Sequence, residues 1–167
     1  MVRSAQQLES ERSDGRSSLR ELLEGTAALW DSSVVKVDKD SPVYELVTEN
    51  LPAKLVSVLP DSPLLRAEGS TGRGIQTLAP WVRVFDGRES PRPTAGRYIV
   101  YLFSVDLSTV YLSLGLGVTA FTDELGQGDR FRNELRETVE RYRRLLGDQL
   151  SRLEPPPLDL QARPPAE

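Results

Sequence analysis

The segment 70–117 constrains this chain more than any other. It holds S-T-G-R-G-I-Q-T-L-A-P-W-V-R-V-F-D-G, then a polar turn, then G-R-Y-I-V-Y-L-F-S-V-D-L-S-T-V-Y-L-S-L-G-L-G. Short runs rich in Val, Tyr, Phe and Leu, alternating in polarity and separated by turn formers, read as strands. Strands are expected at Leu65–Ser70, Pro80–Asp86, Arg97–Val105 and Thr109–Leu114. The last two are joined by Asp106-Leu107-Ser108, a hairpin-length connection. The segment 86–96, D-G-R-E-S-P-R-P-T-A-G, reads as a surface loop.

Helical patterns flank this β region. Ser18 and Glu21 have the spacing of a capping box, and Leu19, Leu22, Leu23, Ala27 and Trp30 follow at helical intervals. Ser41-Pro42 reads as the start of a second helix, with Val43, Leu46, Val47 and Leu51 on its apolar face. Pro52 is expected to break or restart it, with Leu55, Val58 and Leu59 forming a short continuation. The connection between these helices is charged, with a possible short extended piece at Val34-Val35. From Asp129 to Leu150 the stripe Phe131, Leu135, Val139, Tyr142, Leu146 and Leu150 specifies a long amphipathic helix. The expected fold is α+β: a curved, largely antiparallel β-sheet flanked by N-terminal helices and one long C-terminal helix. Residues 1–16 read as a flexible lead-in, 17–152 as a single domain, and 153–167 as a proline-rich linker to a further domain.

Composition removes several classes of function. The 167 residues include no cysteine and no histidine. Disulfides, thiol nucleophiles, Ser-His-Asp triads and ordinary zinc sites are therefore excluded. The acids are scattered, and the one D-x-D, Asp38-Lys39-Asp40, lies in a charged connection, so no catalytic constellation, metal site or cofactor is expected. No apolar run approaches the roughly 20 residues that span a bilayer. The first residues lack the apolar core of a signal peptide, so a cytoplasmic location is the default expectation.

The net charge of −4 argues against a protein that binds nucleic acid over its whole surface. Charge is uneven, however. Residues 62–117 carry six basic and four acidic side chains, a net +2, and every base is an arginine. Arginine suits phosphate and base contacts better than lysine does.

Alternation along Arg97–Val105 places Tyr98, Val100 and Leu102 on one face and Ile99, Tyr101 and Phe103 on the other. Trp81 follows the stiff Pro80 on the preceding strand. Trp81 and Tyr98 could hold a flat ligand between them, with Leu102 at its edge; ordinary core packing satisfies the same periodicity. Gly72 and Gly74 bracket Arg73, permitting unusual backbone angles and close approach to another molecule. An arginine at such a tip could probe a groove or fill the gap left by a displaced base. Arg83, Arg88, Arg92 and Arg97 are the candidate phosphate contacts, with Arg97, beside Tyr98, the first choice.

The sequence G-R-G, A-P-W, G-R-Y-I-V-Y-L-F and V-Y-L-S-L-G-L-G resembles the N-terminal DNA-binding domain of McrB-type, or MrcB-like, modification-dependent restriction proteins. The resemblance covers Ser70–Gly117. It implies recognition of duplex DNA carrying a modified cytosine, 5-methylcytosine above all, by flipping the base into an aromatic pocket. Trp81 and Tyr98 would form the pocket walls, and Leu102 would contact the modified edge. Arg73 would match the loop position that enters the duplex. That position is aromatic in the family's best-known member, and an arginine fills space by hydrogen bonding and cation–π contact instead. The resemblance further implies a recognition module of a bacterial type IV-like restriction system rather than an enzyme, with a nuclease or NTPase downstream. A protein-docking module on the same aromatic face, a magnesium-dependent nuclease, and a reader of RNA or N6-methyladenine remain as alternatives.

Overall fold

A computed structural model describes residues 17–60, 62–119, 122–123, 126, 128–150 and 160, without side-chain detail for 148–150. The lead-in 1–16 and nearly all of the linker 153–167 lie outside these residues.

Helix α1 spans Leu19–Leu29. It begins on the capping box: the Glu21 amide donates to Ser18 Oγ at 3.2 Å, and the Ser18 amide donates to Glu21 Oε2 at 2.7 Å. Helix α2 is the run 42–58, made of Pro42–Glu45, a π-helical turn Leu46–Asn50, and Leu51–Val58. Its N-cap is Ser41, whose Oγ accepts from the Tyr44 amide at 3.3 Å. Pro52 stands where α-helical geometry restarts, in the first turn of Leu51–Val58, as one of the two expected outcomes, and the run continues through it without a break. The widened turn immediately before it, closed by the Leu51 amide on the Leu46 carbonyl, shifts the carbonyls that a proline ring would strike in a regular helix.

Four strands follow as an antiparallel meander in the order β1 (Leu65–Arg73), β2 (Ile75–Asp86), β3 (Ala95–Phe103) and β4 (Val110–Val118). The sheet is open. The first pair is longer than the alternation suggests, because β1 continues through Arg73 and β2 starts at Ile75. The β3–β4 turn is held by Asp106, whose Oδ1 accepts from Ser104 Oγ at 2.6 Å and from the Ser108 amide at 3.1 Å. Leu107 in this turn has φ +61°, a left-handed conformation unusual for leucine, and packs against the core. The Val34-Val35 piece forms no strand; the Val35 carbonyl accepts from the Gln76 amide at 2.8 Å.

Helices α1 and α2 cover one face of the sheet. Trp30, Val43, Val47, Leu51 and Leu55 meet Val82 and Val84 there, with Ala67 and Tyr101 beside them. Each fully buried side chain of this type contributes about 1.5–3 kcal/mol, so this cluster is the main source of stability. Helix α3 spans Asp129–Leu150 with non-helical geometry at Gly147. Phe131, Leu135, Val139, Tyr142 and Leu146 form its half-buried stripe, as their spacing predicts, and Thr138 is buried among them. The side chain of Leu150, the last member of the expected stripe, lies outside the described residues. Antiparallel sheet and flanking helices make the chain α+β.

Candidate nucleic-acid interface

Strand alternation leaves a second face, turned away from α1 and α2. The register orders it in rows across the strands. Ser70, Trp81, Leu102 and Tyr111 form one row; Glu68, Arg83, Val100 and Ser113 the next; Arg66, Phe85, Tyr98 and Gly115 the third. Trp81, Tyr98 and Leu102 therefore share a face, and none belongs to the helix-side core. Trp81 and Leu102 are direct cross-strand partners. Tyr98 sits two rows away, about 13 Å along the strand at ~3.3 Å per residue. The two aromatic side chains flank the Arg83–Val100 row rather than touching. Tyr111 beside Leu102 and Arg66 beside Phe85 share this face, and neither was singled out from the sequence. The alternation V-Y-L-S-L around Tyr111 was the signal for the first.

Tyr98 owes its position to a glycine on the next strand. A Cβ at Gly115 would lie 2.2 Å from Tyr98 Cε2, so the ring occupies the space that any side chain there would fill. The L-G-L-G motif is thus a bed for an aromatic ring. Burial pushes the Tyr98 hydroxyl above its ordinary pKa, against a smaller opposing effect from the Arg83 charge.

Arg83 requires a correction. It has no exposed surface and does not offer its charge to a phosphate. Its Nε donates to Glu68 Oε1 at 2.8 Å, and its Nη1 donates to Ser90 Oγ at 2.8 Å and the Ser90 carbonyl at 3.3 Å. The guanidinium lies 3.9 Å from the Phe85 ring centroid and 5.4 Å from that of Tyr98. Burial of an arginine needs such partners, because leaving its charge unpaired costs several kcal/mol.

The Gly72-Arg73-Gly74 segment is the tip of the β1–β2 hairpin, with Arg73 opposite Ile75 and Gly74 between them. Gly72 has φ +120° and Gly74 has φ +82°. At Gly72 a Cβ would also lie 2.0 Å from the Ile75 carbonyl oxygen, so the tight tip requires glycine there. Gln76 ties the tip to the α1–α2 connection: its amide donates to Val35 O, and its Nε2 donates to Asp31 O at 2.9 Å. Arg73 is exposed at the tip, next to Ile75, which is 72% exposed. The hairpin projects past the end of the face that carries Trp81 and Leu102.

The other arginines divide by partner. Arg88 grips Asp86 with Nη2 at 2.9 Å and Nε at 3.2 Å, and these hydrogen bonds hold the Asp86 carboxyl down at about 2. Arg97 is bonded to Glu89 and lies 5.4 Å from the Tyr142 ring centroid, which ties α3 to β3. Its pKa is raised, first by the Glu89 hydrogen bond. Its side chain alternates away from Tyr98, so neighbourhood in sequence is not neighbourhood on the face. Arg66, Arg73 and Arg92 are exposed and have no carboxylate partner among the described residues. Among the described residues no three His, Cys, Asp or Glu side chains cluster as metal ligands. No helix among them is long and apolar enough to cross a membrane.

Arg83, Phe85 and Val100 are buried on this face, while Trp81, Tyr98 and Leu102 are half-buried beside a glycine-hinged hairpin that exposes Arg73. The sequence profile of the MrcB-like N-terminal domain family matches residues 27–165, and the chain belongs to that family. Comparisons with curated proteins and with solved structures return no match. Membership makes the chain a DNA-recognition module of restriction-type proteins rather than a catalytic domain.

Proposed function

We propose that this domain reads 5-methylcytosine in duplex DNA by flipping the modified base onto the face bounded by Trp81, Leu102 and Tyr98. The observation that carries this reading is the sharing of one face, opposite α1 and α2, by these three side chains, with the anchored Arg73 hairpin at its end. A methyl on C5 offers little to grip inside the stack, and extruding the base exposes its whole edge at a cost of a few kcal/mol. Stacking on aromatic side chains returns roughly 1–3 kcal/mol per base. Leu102 gains on the order of 0.8 kcal/mol by burying the methyl carbon. Arg73, on its rigid tip, occupies the vacated space in the duplex. Arg66 and Arg92, with Arg88 and Arg97 when released from their carboxylates, provide phosphate contacts and salt dependence. The effector is a nuclease or NTPase in the same protein or in a partner.

Fluorescence anisotropy tests this with duplexes unmethylated, methylated on one strand, or methylated on both, at two salt concentrations. Tighter binding of methylated duplex is expected. Equal, salt-sensitive binding of all three would reduce the domain to a non-specific DNA binder.

A further inference from the structure

The loop 87–94 joins the end of β2 to the start of β3, at the end of β2 opposite the Arg73 hairpin. Connections of this kind run over the surface and are ordinarily more mobile than the strands they join. This one is tied to the interior. Ser90, in its middle, has no exposed surface. Its Oγ accepts from Arg83 Nη1, donates to the Ala95 carbonyl at 2.7 Å and lies 3.3 Å from the Arg92 carbonyl. The Arg92 carbonyl also accepts from the Ala95 amide at 3.0 Å. A Cβ at Gly96 would collide with the Glu89 carbonyl, so the loop backbone rests directly on β3. Arg83 is held in turn by Glu68 on β1. The backbone of Arg92 is thus pinned from within, while the residue itself is exposed.

We propose that Arg83 and Ser90 are positioning residues that preform this loop, so that Arg92 meets a phosphate of the bound duplex without first having to be ordered. The proposal rests on the duplex-binding part of the reading above, and not on base flipping. A buried ion pair is a poor source of stability compared with apolar side chains of the same volume. What Arg83 supplies that an apolar side chain cannot is a hydrogen-bonded hold on a loop hydroxyl and carbonyl. Ordering a side chain and its loop at the moment of binding weakens affinity, and a part already fixed avoids that loss. Phosphate is the ligand class because a guanidinium matches its geometry, and a chain of net charge −4 approaches DNA through local positive sites. The face between Trp81 and Tyr98 is then bracketed by two arginine-bearing connections, one tied down by Gln76 and the other by Ser90.

A double-mutant cycle tests this on plain and methylated duplex, read by anisotropy across a salt series. Arg92→Ala is expected to weaken both duplexes alike and to lower the salt slope by about one unit. Ser90→Ala, with folding checked by circular dichroism, is expected to weaken both by roughly three- to tenfold, the effect of having to order one such side chain on binding. It should also raise amide exchange at 89–95. In the Arg92→Ala background, Ser90→Ala then has no further effect on affinity, because the group it positions is gone. Glu68→Gln loosens Arg83 from its other side, should give the same pattern, and decides the question if Ser90→Ala does not fold. Equal losses from Ser90→Ala in both backgrounds, or no loss in either, overturn the positioning role, as does an unchanged salt slope in Arg92→Ala. Equal binding of methylated and plain duplex by the native domain overturns base flipping alone, and the cycle is then read on plain duplex.

Discussion

Tyr98 shows how closely one side chain depends on an atom that is missing. Its ring fills the place of a Cβ at Gly115, so Gly115→Ala pushes methyl against ring at 2.2 Å. The ring is the movable partner. The expected result is a weakened preference for methylated duplex in a domain that still unfolds cooperatively, read by anisotropy and thermal denaturation. Trp81→Ala and Tyr98→Ala should each abolish the preference while the fold persists, since neither side chain belongs to the helix-side core. If both variants keep it, the pocket is elsewhere. Leu102→Ala should cost several-fold on methylated DNA and little on plain duplex, the size of one or two buried carbons at about 0.8 kcal/mol each.

The Asp86–Arg88 pair yields a prediction in pH. Asp86 has a depressed carboxyl pKa, so its pairing is fully present above its ordinary value of 3.8 and is lost only as pH falls through about 2. Lowering the pH from 7 to 5 therefore leaves Arg88 engaged and should leave this residue's share of duplex binding unchanged. Asp86→Asn, in contrast, frees Arg88 at neutral pH. Its salt dependence, plotted as log affinity against log salt, should steepen by up to about one unit if Arg88 then reaches a phosphate.

At the scale of elements, the β1–β2 hairpin and α2 carry the clearest tests. The hairpin tip is held at both ends of Gln76, by backbone and by side chain. Gln76→Ala removes the side-chain tie to Asp31 and should raise amide exchange at 72–76 and weaken duplex binding, with little change in global stability. Gly69 on β1 faces α2 so closely that a Cβ would stand 1.8 Å from the Val47 carbonyl oxygen. Because the obstacle is helix backbone, Gly69→Ala should destabilise the whole domain by about 1–3 kcal/mol, the cost of overpacking.

The elements also show what sequence pattern conveys. The helices α1 and α3, the N-cap of α2 and the two faces of β3 follow directly from the spacing of apolar residues and from Ser18, Glu21, Ser41 and Pro42. Pro52 marked the restart of α-helical geometry, whereas the π-turn before it has a geometric signature that residue spacing does not carry. The strands ran past their expected ends because G-R-G reads as a loop, whereas cross-strand pairing carries β1 to Arg73. Arg83 was misplaced for a related reason. Charge on a strand suggests exposure, and its burial depends on Glu68 on another strand and Ser90 in a loop, a long-range pairing that local periodicity does not encode. Gly115 was legible as part of L-G-L-G, but its purpose appears only when Tyr98 lies across it.

For the molecule as a whole, separation of cover and display is the main theme. Both N-terminal helices pack on the same side of the sheet, and the proposed DNA site uses the other side and the hairpin. A net charge of −4 accords with this, since binding must come from a local field. Arg66→Ala, Arg73→Ala and Arg92→Ala should each weaken methylated and plain duplex to a similar degree, and each should lower the salt slope by about one unit per phosphate contact removed.

The alternation of β2, β3 and β4 has a further consequence for how such a domain changes its target. Positions 82, 84 and 101 answer to the helices, and positions 81, 98, 102 and 111 stand on the opposite face, where the proposed target lands. The two sets interleave along the same strands like two messages typed on alternate characters. A library restricted to the second set would rewrite the target while the first went on specifying the same fold, and new specificities would be reached by substitution alone, with no insertion or deletion in the strands. A one-residue slip would exchange the two messages entirely.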